Sequence, residues 1–398
     1  MPGKLDLKRS AGDCVPVHAL ALWHLGFRPF YLMAAIFGSL SIALWGAQYA
    51  GWLTTPYLRG PIWHAHEMVF GFTLAVMTGF LFTAVRNWTS RPTPTGAALA
   101  ALALLWLGGR VLVLTPFGVA AACVNVAFPI AVAVGIGRAL VGSGNRHNLF
   151  FVGLLLMMAA AALATHLAQL GIAELPDWLG LRAALDIILL VMTVLGGRVI
   201  PMFTANGVPG ARVRRNALVE HVVPMSAAAV LVCDVIAAPA TLVAVVLVVG
   251  AGAQAIRVLL WRPWQTWRVP LVWILHVGYG WIPLHLALRA LSEFDRVASP
   301  IATHALTVGA IGALTLGMMT RTARGHTGRP LHADRWDVAA FAMVTGAAVI
   351  RVALPLVLPD LYAVAVVASA LSWSAAYAIY AVRYWPVLTS PRVDGKPG

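Results

Sequence analysis

The chain is poor in charge, in acidic residues and in cysteine. Charged residues make up 11% of its 398 positions, against roughly 25% in soluble globular proteins. No polar tract is long enough to form a soluble domain. The three cysteines, Cys14, Cys123 and Cys233, are widely scattered and match no metal-ligand spacing, which argues against a disulfide framework. No Cys-x-x-Cys-His occurs, so covalent c-type haem attachment is excluded. Residues 1–28 hold a basic stretch but no apolar core followed by a small-residue cleavage site. The first spanning helix is therefore expected to act as an uncleaved insertion signal.

What is abundant is apolar surface. Hydrophobic residues account for 60% of the chain, and the mean hydropathy is +0.83. Runs of about 20 apolar residues, long enough to cross a bilayer, recur near 29–48, 62–84, 96–114, 117–140, 149–171, 181–203, 218–237, 239–260, 269–291, 298–320, 336–357 and 361–385. The expectation is an all-α, polytopic integral membrane protein with 12 transmembrane helices. Residues 1–28 form an N-terminal cytoplasmic segment, 29–385 a single membrane domain, and 386–398 a cytoplasmic tail.

Charge sets the orientation. Most of the 28 basic residues fall in the N-terminal segment, in alternate loops and at the C-terminus, among them Lys4, Lys8, Arg9, Arg212, Arg214, Arg215, Arg321, Arg324, Arg329, Arg392 and Lys396. The opposite loops hold Glu174, Asp177, Glu293, Asp295 and Asp360. By the positive-inside rule both termini are cytoplasmic. The net charge of +14 is spread thinly over the loops and follows topology. It points to anionic membrane lipids rather than nucleic acid. Trp52, Trp63, Trp178, Trp261, Trp264 and Trp267 at helix ends read as an aromatic belt.

Against this background the segment Ile-Trp-His-Ala-His-Glu-Met-Val-Phe-Gly-Phe at 62–72 stands out. A charged side chain in hydrocarbon costs roughly 2.5–3.5 kcal/mol on insertion scales, so His64, His66 and Glu67 need partners, a metal or a cavity. At about 1.5 Å of rise per residue both histidines lie within ~10 Å of the outer boundary. His166, His285 and His304 fall at the same depth on other helices, while His276 is deeper and His221 and His147 are interfacial.

His64 and His66 point about 200° apart, whereas His64 and Glu67 share a face. One histidine then serves one site and its neighbour another, with Glu67 beside the first, as a proton carrier or as the carboxylate that orients His64. Helix ten carries a stripe through His304, Thr307, Thr315, Met318 and Thr322, which would extend a proton path.

Neutral imidazole is a good ligand for iron and copper, and a helical axial histidine is common in haem proteins. A non-covalent haem b fits. His64, His66 and His304 are the first-choice ligands, with His276, His285 and His166 as further candidates. A lone histidine at a helix end, such as His166 or His285, is more often a packing residue. Arg198 is a candidate for a haem propionate, or for pinning a loop. Arg110 and Arg351 read as arginines snorkelling from helix ends.

Several strings resemble the NnrS family: Gly-Phe-Arg-Pro-Phe at 26–30, Trp-His-Ala-His-Glu-Met-Val-Phe-Gly-Phe at 63–72, Gly-Phe-Leu-Phe-Thr-Ala-Val-Arg-Asn-Trp-Thr at 79–89, Gly-Gly-Arg-Val-Ile-Pro-Met-Phe-Thr at 196–204, His-Ala-Leu-Thr-Val-Gly-Ala at 304–310 and Arg-Gly-His-Thr-Gly-Arg at 324–329. The resemblance implies a twelve-helix bacterial inner-membrane protein that carries haem and copper and is linked to nitric oxide metabolism and nitrosative stress. His64, His66, Glu67, His304 and His326 fall on its motif positions. The expected function is binding and turnover of nitric oxide as a haem-dependent oxidoreductase, with Glu67 catalytic and a quinol as candidate electron donor. The alternatives are a passive nitric oxide sink or sensor, and a secondary transporter with helices broken near Gly196–Pro201 and Gly280–Pro283.

Overall fold

A backbone that crosses lipid must satisfy its own hydrogen bonds, so an apolar chain of this kind resolves into helices. The computed structural model describes residues 21–49 and 51–396. Among them are twelve long helices and no strand: α1 (Phe27–Tyr49), α2 (Gly60–Thr89), α3 (Gly96–Leu112), α4 (Gly118–Gly142), α5 (Phe150–Gln169), α6 (Leu179–Gly207), α7 (Ala217–Val235), α8 (Ala240–Leu260), α9 (Pro270–Ser292), α10 (Ser299–His326), α11 (Arg335–Val357) and α12 (Tyr362–Thr389). Eleven are long and apolar enough to cross a membrane. The exception, α3, has 17 residues, or about 26 Å at 1.5 Å per residue. Cys14 and the basic residues Lys4, Lys8 and Arg9 lie outside the described residues.

The expected helix positions hold to within a few residues except at four ends. Helices α2, α6, α10 and α12 each run past the predicted end, to Thr89, Gly207, His326 and Thr389. The predicted tail at 386 therefore begins inside a helix. The interruptions expected near Gly196–Pro201 and Gly280–Pro283 are absent, because α6 and α9 continue through Pro201 and Pro283. Neighbouring helices can absorb the hydrogen bond that proline forfeits within a membrane protein.

Consecutive helices pack side by side, and α12 returns to α1 to close the bundle. The centre belongs to α2. In its most apolar window 83% of the residues are buried inside the protein, against 28% in the last span. A helix screened from lipid on that scale can carry ionisable groups, provided its neighbours pair them. Aromatic side chains seal the seam around it. Phe72 meets Trp373 and Tyr377 edge-on, Trp373 donates to the Gly38 carbonyl at 3.1 Å, and Tyr377 donates to the Gly312 carbonyl at 2.9 Å. Of the expected aromatic belt, Trp52, Trp178, Trp264 and Trp267 are exposed. Trp63 and Trp261 are instead fully buried in helix contacts.

Several of the quoted sequence strings meet at one end of the bundle and build a clasp. Arg28 donates to the carbonyls of Leu388 and Ser390 at 3.0 and 2.7 Å, and Phe27 lies against His326. Arg392 donates to the His326 carbonyl at 3.0 Å. Arg324 pairs with Asp334 and Asp337 at the start of α11. Those residues hold the helix ends together, at the end of the bundle opposite His64 and His66.

Candidate functional site

Two helices of the bundle change their winding just after a histidine. In α2 the turns from Glu67 to Thr73 are π-helical, following His66. In α10 the turns from Ala305 to Gly312 are π-helical, following His304. Such turns slip the register by about one residue and occur often at functional sites. One consequence is a correction to the angular reading. The stripe from His304 to Thr322 is cut by the π turn: Thr315 bonds Tyr377 at 2.8 Å, while His304 turns to the Pro300 carbonyl at 2.5 Å.

A second correction concerns Glu67. It was expected beside His64, but Glu67 Oε1 accepts from His66 Nδ1 at 2.8 Å and from Arg110 Nη1 at 2.7 Å. Glu67 is 1% exposed and Arg110 6%, so the ion pair is buried and Arg110 does not snorkel. Arg110 also donates to Asn125 Oδ1, and Asn125 donates onward to the Ala121 carbonyl at 2.8 Å. Gly71 makes this approach possible. A Cβ there would lie 2.6 Å from Arg110 Nη1 and 2.7 Å from Phe37 Cε1.

On its other edge His66 Nε2 faces His166 Nε2 at 3.2 Å, and His166 Nδ1 meets the Tyr57 hydroxyl at 2.8 Å. His166 is thus buried with both ring nitrogens in hydrogen bonds, one of them to His66. Burial pushes the Tyr57 phenol up to about 12, so it keeps its proton at neutral pH. Donor and acceptor roles then run one way along the chain. Tyr57 donates to His166 Nδ1, His166 Nε2–H donates to His66 Nε2, and His66 Nδ1–H donates to Glu67. Glu67 Oε2 is buried without a partner among the described residues.

His64 faces elsewhere, as the 200° separation predicts. Its ring stacks on Trp45 at 5.1 Å, and its buried Nδ1 has no partner among the described residues. His304 lies within electrostatic reach of both His64 and Arg351. With Nδ1–H given to the Pro300 carbonyl, His304 keeps a lone pair on Nε2, the arrangement by which an outer hydrogen bond orients a metal-binding imidazole. Arg351 is 6% exposed, donates to the Tyr362 hydroxyl at 3.1 Å and leaves Nη1 unpartnered among the described residues. It too was expected to snorkel and does not.

The remaining candidates separate from these pairs. His285 donates through Nδ1 to the Ala302 carbonyl at 2.8 Å, beside the buried cluster in which Arg289 holds Asp186 and Asp234. His276 lies at Thr204, 2.8 Å away. Arg198 donates to Asn148 and His147 at 2.8 and 2.9 Å, which pins the turn before α5. Tyr57 and Asn125 had no sequence signal beyond their residue type. For Arg110 the adjoining Gly108-Gly109 was the one hint of close approach.

Among the described residues no three His, Cys, Asp or Glu side chains converge as a metal cage. A closed tetrahedral zinc site needs four ligands, whereas haem iron takes one or two axial residues. Imidazole pairs therefore suit haem iron or copper better than structural zinc. Between the pairs the fit differs. The His66 and His166 rings are edge-to-face with centroids 5.0 Å apart, which suits a proton or a small ion and leaves no space for a porphyrin between them. His64, His304 and Arg351 combine unpartnered imidazole nitrogen with a spare guanidinium donor, the chemistry a haem and its carboxylates require.

No curated protein matches this chain. The family model described as NnrS protein matches residues 21–392. With nearly its whole length covered by that match, the chain belongs to the NnrS family.

Proposed function

We propose that this is a haem b protein of the bacterial inner membrane that binds and turns over nitric oxide. The carrying observation is the division of the Trp-His-Ala-His-Glu segment, in which His66 meets His166 while His64, two residues away on α2, faces Trp45 instead. In this reading His64 and His304 are the haem ligands, and Arg351 binds a propionate. His66 and His166 hold copper or pass protons. A bound haem would supply an iron centre that coordinates a diatomic gas and exchanges single electrons.

The chain's own residues supply the rest. Tyr57, half-buried in the loop before α2, takes up a proton from the aqueous side. His166 and His66 relay it, and Glu67 receives it on the carboxylate that Arg110 anchors. Nitric oxide is small and apolar and reaches the site through lipid. Electrons come from a quinol. Both termini are cytoplasmic, and α3 makes the twelfth crossing.

The transporter alternative loses its support with the continuity of α6 and α9, since such proteins bind at interrupted helices. A sink or sensor differs only in lacking turnover. The test is a visible spectrum with pyridine haemochrome and metal analysis on purified protein, followed by nitric oxide titration of the reduced form. Haem b is expected, with the Soret band lost or shifted in His64→Ala and His304→Ala. An unaltered spectrum in the triple change at His64, His66 and His304 overturns the site. No spectral response to nitric oxide in either redox state overturns the ligand. Binding without consumption leaves the sink or sensor. A reporter fused at Lys396 that reads periplasmic overturns the topology.

A further inference from the structure

Away from the two imidazole pairs, a pocket of about 410 Å3 opens where α8 ends and α9 begins. It is walled by Trp264, Trp267 and Trp273 and has His276 in its lining. Its size falls within the roughly 300–1,000 Å3 of small-molecule sites. Trp264 and Trp267 are exposed, at 58% and 66%, and lie in the short connection between two membrane spans. That is the depth at which an amphiphile keeps its head group.

His276 is 3% exposed, and its protonation is settled by its neighbour. The Thr204 hydroxyl gives its one hydrogen to the Ile200 carbonyl at 2.8 Å. It can therefore only accept from His276 Nε2, also at 2.8 Å. His276 is thus the Nε2–H tautomer and carries a lone pair on Nδ1. That atom is buried and has no partner among the described residues. A buried acceptor left unmet costs free energy, and natural interiors rarely leave one without a reason. Beside it Trp261, at 6.2 Å between ring centroids, leaves its buried Nε1–H unpartnered among the described residues as well.

We infer that this pocket binds the head group of a membrane quinol. Flat indole walls suit an aromatic ring, and the empty Nδ1 lone pair selects a ring hydroxyl over a carbonyl. The tail would leave through the open face into lipid. The inference rests on the reading above in which a quinol supplies electrons, and it assigns that donor a place.

Binding is measured apart from turnover, on full-length protein in nanodiscs without nitric oxide, by titration with a decyl-substituted benzoquinol and with its dimethyl ether. The quinol should saturate one site, and the ether, which has no hydroxyl to donate, should bind at least about tenfold more weakly. His276→Leu should lose the same factor and the discrimination together. Trp267→Leu, a change at an exposed residue, should weaken both ligands, and His221→Ala should weaken neither. Equal affinity for quinol and ether, or undiminished quinol binding in both His276→Leu and Trp267→Leu, overturns the assignment. Intact nitric oxide binding alongside that failure would leave the proposed function standing, and quinol binding without any nitric oxide response would do the reverse.

Discussion

The Glu67–Arg110 ion pair makes the sharpest test of how this membrane core is held together. Both groups are almost wholly buried, and among the described residues Glu67 has two hydrogen-bond donors, Arg110 and His66. Replacing Arg110 by Met fills similar volume but strands a carboxylate. Breaking a buried pair from one side costs about 3–5 kcal/mol, or two to three and a half powers of ten in the folding equilibrium at roughly 1.4 kcal/mol per decade. Glu67→Gln alone is milder, because the amide oxygen still accepts from both donors. In the double change Glu67→Gln/Arg110→Met no buried charge remains. The amide still receives His66 Nδ1–H, and Asn125 keeps its bond to the Ala121 carbonyl. The double variant should therefore recover most of the loss, with a coupling energy of at least about 2 kcal/mol, inside the range for residues in contact. Dodecyl-sulfate titration in mixed micelles, followed by tryptophan fluorescence, reads all four proteins on one scale. Effects that add to within about 0.5 kcal/mol would show that the two side chains do not hold each other.

Gly71→Ala should destabilise the protein by about 1–3 kcal/mol, because its Cβ would press on both Arg110 and Phe37; wild-type stability in the same titration would refute the close approach. Tyr57→Phe removes the entry donor of the relay, so nitric oxide consumption should fall while the haem spectrum stays unchanged, and an unchanged rate would place proton entry elsewhere. Glu67→Gln should likewise lower consumption with little effect on nitric oxide binding, as read by stopped-flow spectroscopy. Asp334 caps α11 through the N–H groups of Trp336 and Asp337; burial pushes its carboxyl up, but these donors and Arg383 outweigh that and hold it below the usual range. Its contribution is therefore complete above about pH 3.9 and lost as pH falls through the lower folded value. Asp334→Ala should cost about 1 kcal/mol at neutral pH and flatten that acid-dependent loss in unfolding measured between pH 3 and 5.

Family motifs and site chemistry overlap only in part. The string at 26–30 ties α1 to the end of α12, and the one at 79–89 contains Phe82, which a Cβ at Gly26 would strike at 2.6 Å. His326 lies on a motif position, yet its recorded contacts, Phe27 and Arg392, belong to the clasp. The strings at 63–72 and 304–310 alone contribute to the imidazole pairs. Motif strings in this bundle thus include close-packing positions as well as the buried histidines.

The sequence by itself determined the helical class, nearly every helix position and the divergence of His64 from His66. Each of these follows from local quantities: apolar run length, a fixed rise per residue and a fixed angular step. Tertiary structure alone decided the partners. His66 meets His166 across 100 residues and Glu67 meets Arg110 across 43, distances over which no periodicity carries information. It also decided which arginines are buried, since Arg110 and Arg351 sit near helix ends where snorkelling and pairing look alike along the chain. The register at Glu67 and after His304 was lost to sequence reasoning for a related reason. A π turn changes the angular step only where packing around it compensates the altered hydrogen bonds, and that packing comes from other helices.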